Sequence, residues 1–143
     1  MTLLALNLPP GATGRGLLVE PQLSGVELIV GARRDETFGP IVIVGLGGIL
    51  AEAMDDVAVR LAPVDSVEAE AMLRELRGQR ILDGIRGAPG VERAAVAQLI
   101  ATVSRAIVAD PSILELDLNP VISGPLETAA VDALIVEAAP VSQ

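Results

Sequence analysis

Leu114 to Pro120 reads LELDLNP, with leucine alternating against Glu115, Asp117 and Asn119. In an extended chain this period of two puts the oxygen-bearing side chains on one face and the leucines on the other. Aspartate and asparagine are both depleted in strands, so such a face asks for a chemical reason. A further acid, Asp132, sits in the otherwise apolar AAVDALIV. Taken alone, an acid in that setting is more often a strand-edge or solvated residue than a ligand. The turn around Gly124 and Pro125 changes those odds. A two-residue turn sets Asp132 opposite Asp117 and a four-residue turn sets it opposite Asn119; both registers put it on the polar face, whereas a three-residue turn reverses it. Directly opposed Cβ atoms lie about 5 Å apart and diagonal ones about 7 to 8 Å apart, so carboxylates would meet across the ladder. They then need an arginine, a shared proton or a cation. The all-oxygen set Asp117, Asn119 and Asp132 suits Mg²⁺, which takes one or two carboxylates and fills its shell with water and phosphate oxygens.

Composition narrows the rest of the chemistry. The 143 residues carry a net charge of −9, with arginine as the only basic residue and with lysine, histidine and cysteine absent. No histidine means no Ser-His-Asp or Cys-His catalysis, no histidine metal site and no phosphohistidine within the chain. No lysine excludes a Schiff base or a P-loop lysine, and no cysteine excludes disulfides and thiolate metal sites. The acidic balance, with Phe38 as the only aromatic residue, argues against nucleic acid as a partner. No stretch approaches the roughly 18 apolar residues of a membrane span. MTLLALNLPPGATG lacks the basic start of a secretory signal, so the expected location is the cytoplasm.

The elements that must position these residues are visible as changes of period. Residues 1–15 are read as an irregular lead-in, 16–137 as one folded lobe and 138–143 as a tail. GLLVE (16–20), VELIVGAR (26–33), PIVIVGLG (40–47) and VAVRLAP (57–63) predict consecutive antiparallel strands. In the last of these, Asp56, Ala58 and Arg60 share one face and Val57, Val59 and Leu61 the other. Asp65-Ser66 with Glu68 predicts a helix start, and Ala69, Met72, Leu73 and Leu76 supply its apolar stripe up to Gly78. A longer helix after Gly90 is marked by Val96, Leu99, Ile100, Val103 and Ile107 and ends at Asp110-Pro111. Two strands, Ile113 to Ile122 and Thr128 to Val136, close the chain. The fold class expected is α+β, two layers, with a mainly antiparallel sheet and two principal helices.

Several collinear stretches carry a resemblance. GLLVEPQLSGVELIVGARRDETFGPIVIVGLGGILAEAMDDVAVRLAP, then ILDGIRG, LELDLNP and VDALI, together resemble the C-terminal lobe of the ATP-grasp domain of NDP-forming acyl-CoA synthetases, relatives of the succinyl-CoA synthetase β subunit. The resemblance implies Mg²⁺ and ADP or ATP as cofactors, with Asn119 and Asp132 as metal ligands, Asp117 beside them and Glu115 a possible bystander. VEPQL resembles the hinge along the adenine, placing Glu20 and the backbone near Leu23 at the base or ribose. Glu27 falls at a matching site position. Gly45, Gly47 and Gly48 would let backbone approach phosphate, and Arg60 and Arg86 would contact anions. For Glu20, Glu27, Arg60 and Arg86 the bland alternative is an exposed strand residue or a surface ion pair. The chain departs from the family in having Glu20 and Gln22 where Gln and Met are common, and Leu134 where a basic residue often follows VDA. It also lacks the family's other ATP-grasp lobe and its CoA-binding portion with the phosphohistidine, which become its expected partners. Alone it is expected to be inactive.

Two other classes compete. The chain could be a non-catalytic lobe that serves as a structural or partner-binding module. Alternatively, Gly45-Leu46-Gly47 after a strand, with Asp65 about 20 residues on, imitates a dinucleotide-binding fingerprint. That imitation fails where the third glycine should be, because Leu50 stands there.

Overall fold

A computed structural model describes residues 21–48, 56–85 and 87–139. The predicted strand 16–20, Glu20 and Arg86 lie outside the described residues. In chain order the elements are β1 (Val26–Asp35), β2 (Gly39–Leu46), β3 (Val57–Leu61), α1 (Ser66–Glu75), α2 (Gln79–Asp83), α3 (Arg93–Ala109), β4 (Ile113–Ser123), β5 (Thr128–Ala130) and β6 (Ala133–Glu137). The strands form one six-stranded sheet in the order β3-β2-β1-β4-β5, with β6 also pairing β4. Every pairing is antiparallel. The expected two-layer α+β architecture is what the chain adopts.

The helices cover one face of the sheet and leave the other open. Leu28, Val30 and Ala32 of β1 and Val42, Val44 and Leu46 of β2 alternate inward and pack against Met72 and Leu73 of α1 and Val96, Ile100 and Ile107 of α3. Asp65 caps α1, its carboxylate accepting from the N–H groups of Val67 and Glu68 at 3.0 and 2.8 Å. The short helix α2 interrupts the link between the two predicted helices and was not evident from periodicity.

β3 alternates as expected, but its charged side is the one that faces the helices. Asp56 is 4% exposed, while Val57, Val59 and Leu61 are 53%, 43% and 60% exposed on the open face. The inward charges are tolerated because they are paired. Asp56 accepts from the backbone N–H groups of Arg77 and Gly78, both at 2.8 Å. Arg60 is held by Glu68 at 2.6 Å and by Glu75.

The expected final strand is divided in two. β5 pairs with the end of β4 (Ser123 with Thr128, Val121 with Ala130), and β6 pairs with its beginning (Leu118 with Ala133, Asp117 with Leu134). Between them Val131 and Asp132 leave the strand, opposite a β1–β4 register shift between Leu28 and Val30 that accommodates Asn119 and Pro120. Proline lacks the N–H a central strand needs, and a bulge is where sheets accept it.

Candidate functional site

The bulge and the strand break meet on the open face. Ser123 pairs with Thr128, so the turn holds four residues and Asn119 falls opposite Asp132. The Asn119 N–H donates to the Asp132 carbonyl at 3.3 Å, and the Val131 N–H to the Pro120 carbonyl at 2.9 Å. Of the two face-preserving registers derived from the sequence, the fold uses the longer turn.

Asp117 stands one step along β4, opposite Gly31 on β1 and Leu134 on β6. It is half-buried, and burial first, then the charges of Glu115 and Asp132, push its carboxyl above the ordinary carboxylate range. Asn119, Asp132 and Glu115 are exposed or near the edge of exposure, and one Asp132 oxygen accepts from the Ala133 N–H at 2.8 Å. Among the described residues no three carboxylates converge closely enough to hold a metal ion by themselves. The donor set nevertheless fits a hard cation: amide and carboxylate oxygens, with mutual repulsion at Asp117 that a positive charge would relieve. Mg²⁺ here would use one or two carboxylates and take its remaining oxygens from water and a bound ligand.

Glu27 joins the same face from β1. Its carboxylate rests against Gly48, where a Cβ would lie 2.5 Å from Oε2, and Gly48 has a φ of +63° that favours glycine. Gly47 packs on the Glu27 backbone, where a Cβ would lie 3.0 Å from the carbonyl carbon, and its N–H donates to the Glu27 carbonyl at 2.8 Å. That donor is therefore engaged within the sheet, so Gly47 contributes close approach and not a free N–H. Gly45 pairs with Ile29 and Val57 within the ladder.

Leu23 reaches the same side of the molecule. It lines a cavity of 330 Å³ with Ile122, Glu127 and Val131, and Val131 immediately precedes Asp132. Ile122 pairs with Glu27 across β1 and β4, so this cavity adjoins the face that bears the acids.

Arg60 is the sequence-predicted site residue that lies elsewhere. It pairs with the inward-facing Val42, on the face opposite Asp117. The hydrogen bonds it donates to Glu75, then to Glu68, hold its guanidinium pKa above the ordinary value. Its cationic edge is taken up inside the lobe because α1 presents both acids to β3. The fold brings instead Arg33 to the open face, exposed and opposite Glu115. The signal for it was the odd numbering that Arg33 shares with Glu27 along β1.

A family model described as an ATP-grasp domain matches residues 1–136. The chain belongs to the ATP-grasp family. Within that family its similar proteins are ADP-forming acyl-CoA synthetases. This ATP-grasp chain is 43% identical over 113 residues to acetate–CoA ligase [ADP-forming] I of Archaeoglobus fulgidus, covering 78% of the chain and 16% of that protein. It is 39% identical over 133 residues to the β subunit of acetate–CoA ligase [ADP-forming] I of Pyrococcus furiosus, covering 92% of the chain and 57% of the subunit. Among solved structures, acetyl-coenzyme A synthetase 1 of Ca. Korarchaeum cryptofilum in complex with coenzyme A and Mg-AMPPCP matches with a TM-score of 0.77 at 40% identity, over 82% of this chain and 55% of that one. The ATP-grasp chain thus spans little more than half of the Pyrococcus β subunit and of the Korarchaeum chain, and a sixth of the longer ligase. No helix among the described residues is long and apolar enough to cross a membrane.

Proposed function

We propose that this chain is the lobe of an ADP-forming acyl-CoA synthetase that holds the Mg²⁺-bound phosphates of ADP or ATP. The overall reaction would be acyl-CoA + ADP + phosphate ⇌ carboxylic acid + CoA + ATP. The observation that carries this reading is the register that sets Asn119 opposite Asp132, beside half-buried Asp117, on the uncovered face of the sheet. Asn119 and Asp132 would hold the metal and Asp117 would stand next to it. When bound, Mg²⁺ would supply neutralisation of phosphate charge during in-line transfer. The chain's own share would be to orient the nucleotide: Gly48 would let backbone approach closely, Glu27 would fix the rim of that turn, and the Leu23 cavity would receive the base or ribose. The chain contains no histidine, so a phosphohistidine would come from a partner domain or subunit, together with the remaining ATP-grasp lobe and the CoA-binding portion. Half a cleft binds weakly, and the lobe alone would not turn over.

Titrating Mg²⁺-ADP into the isotopically labelled chain while following backbone amide resonances tests the reading. Shifts centred on Asn119, Asp132 and Gly48, with an apparent Kd of about a millimolar, are the expected result. No shift at that concentration would leave a structural or partner-binding lobe. In an assembly that contains both ATP-grasp lobes, Asp132→Ala should abolish metal-dependent turnover while the thermal transition persists; retained turnover removes Asp132 as a ligand.

A further inference from the structure

The open face has a direction along β1. Residues 27, 29, 31 and 33 share that face at steps of about 7 Å. Glu27 stands across from Ile122, at the end that adjoins the Leu23 cavity. Asn119 with its partner Asp132 comes next, at the register shift between Leu28 and Val30. Gly31 is level with Asp117, and Arg33 with Glu115. With the base at Leu23 and the metal at Asn119 and Asp132, the phosphate chain of a nucleotide would run toward Arg33. Among the described residues Arg33 is the one arginine on this face. Arg34 and Arg60 turn to the helix layer, and the others are carried on the helices or, in Arg77, on the link between α1 and α2. Arg33 is exposed, and no hydrogen bond or ion pair among the described residues takes up its guanidinium, although Glu115 stands opposite. Asp35, two residues on, is drawn below the ordinary carboxylate range first by the N–H groups of Phe38 and Thr37, and least by the charge of Arg33.

A terminal phosphate brought to this end of the face would approach Glu115 and Asp117, in a chain whose net charge is already −9. Mg²⁺ at Asn119 and Asp132 would offset charge one step back along the strand. The far end needs a cation of its own, and the planar guanidinium fork suits phosphate oxygens. We propose that Arg33 binds the terminal phosphoryl group of ATP, the group that ADP lacks. This rests on the proposed nucleotide-binding role. Arg33 then sets the preference for ATP over ADP, and the metal and base contacts set nucleotide binding as such.

The test titrates Mg²⁺-ADP and Mg²⁺-AMPPCP, a non-hydrolysable ATP analogue, into the full chain, comparing wild type, Arg33→Gln and Arg105→Gln by amide resonance shifts. Arg105 lies on α3, away from the open face, and its replacement removes the same formal charge. Arg33→Gln should weaken Mg²⁺-AMPPCP binding about fivefold, the loss of one exposed hydrogen bond to a charged group. Its affinity for Mg²⁺-ADP should move by less than about twofold, and Arg105→Gln should leave the ratio of the two affinities at the wild-type value. An equal loss for both nucleotides, no loss for either, or the same selective loss in Arg105→Gln would each overturn the assignment, the last because net charge would then suffice. Loss of the cooperative melt in Arg33→Gln would overturn it too, since the arginine would then be structural. Wild type failing to bind Mg²⁺-ADP sinks the nucleotide reading and this inference with it. Wild type that binds Mg²⁺-ADP but not Mg²⁺-AMPPCP, or an Arg33→Gln that matches wild type on both, sinks the Arg33 assignment alone.

Discussion

Asp117 is a residue that costs the fold something and stands in the proposed site. Burial and the neighbouring acids raise its pKa in the folded chain. A raised carboxyl favours the folded state below its ordinary value of 3.8, and this contribution is lost as pH rises through the folded pKa. At neutral pH the ionised group therefore weighs against folding. Asp117→Asn should melt at a higher temperature than wild type at pH 7, and the difference should vanish on acidification below the ordinary carboxylate range. Calorimetry across that pH range checks it; an equal or lower melting temperature at pH 7 contradicts the strained-acid description. A residue that destabilises its own lobe is a reasonable place to look for function, because structural ion pairs remove such penalties and this one has none among the described residues.

Elements here are joined by arginines that satisfy backbone or carboxylate oxygens. Arg34, at the end of β1, donates to the carbonyls of Ile113 at 2.8 Å and Asp110 at 2.9 Å, and also to that of Ile107. It thereby satisfies the exposed C-terminal carbonyls of α3 and ties them to the sheet. Arg34→Met should cost about 2 kcal/mol and raise hydrogen exchange in the last turn of α3; full protection there would show that water replaces the guanidinium without loss. Arg60 performs the corresponding service between β3 and α1, though its half-exposed ion pairs are screened by solvent. Arg60→Met should cost at most about 1 kcal/mol and leave Mg²⁺-ADP affinity unchanged. A fall in affinity would return Arg60 to the phosphate site despite its position on the far face.

At the scale of the molecule, a single core joins the helices to the sheet, and the open face is supported from behind by that core. Ile100 is fully buried in α3 among residues from both layers. Ile100→Ala should cost about 3 kcal/mol, with helical and sheet signals lost in one transition during denaturation. Separate transitions would mean that the two layers fold independently and that the face is not rigidly backed. The open face itself carries the acids at its centre and exposed Val57, Val59 and Leu61 on one flank, with Leu134 and Val136 on the other. Its charge and its apolar rim belong to one surface of a chain that spans 57% of the Pyrococcus β subunit.

Much of this was legible in the sequence because it depends on local periodicity. The alternation in VELIVGAR and PIVIVGLG marked the central strands, Asp65 with Glu68 marked the start of α1, and LELDLNP marked the polar face of β4; Asp132 joins that face because the turn holds four residues and not three. The family resemblance rested on the same ordered motifs. What local pattern could not decide was which face the helices would cover and how side chains would pair across it. The valines of β3 point outward and Asp56 inward because Arg77 and Gly78, distant in sequence, supply the hydrogen bonds that make an inward carboxylate tolerable. Arg60 is drawn to Glu68 and Glu75 by the packing of α1, Gly47 gives its N–H to Glu27, and Gly31 meets Asp117 only through the β1–β4 register. Period specifies the faces of each element; burial and hydrogen-bond satisfaction, which are properties of the assembled layers, choose which face each charge occupies.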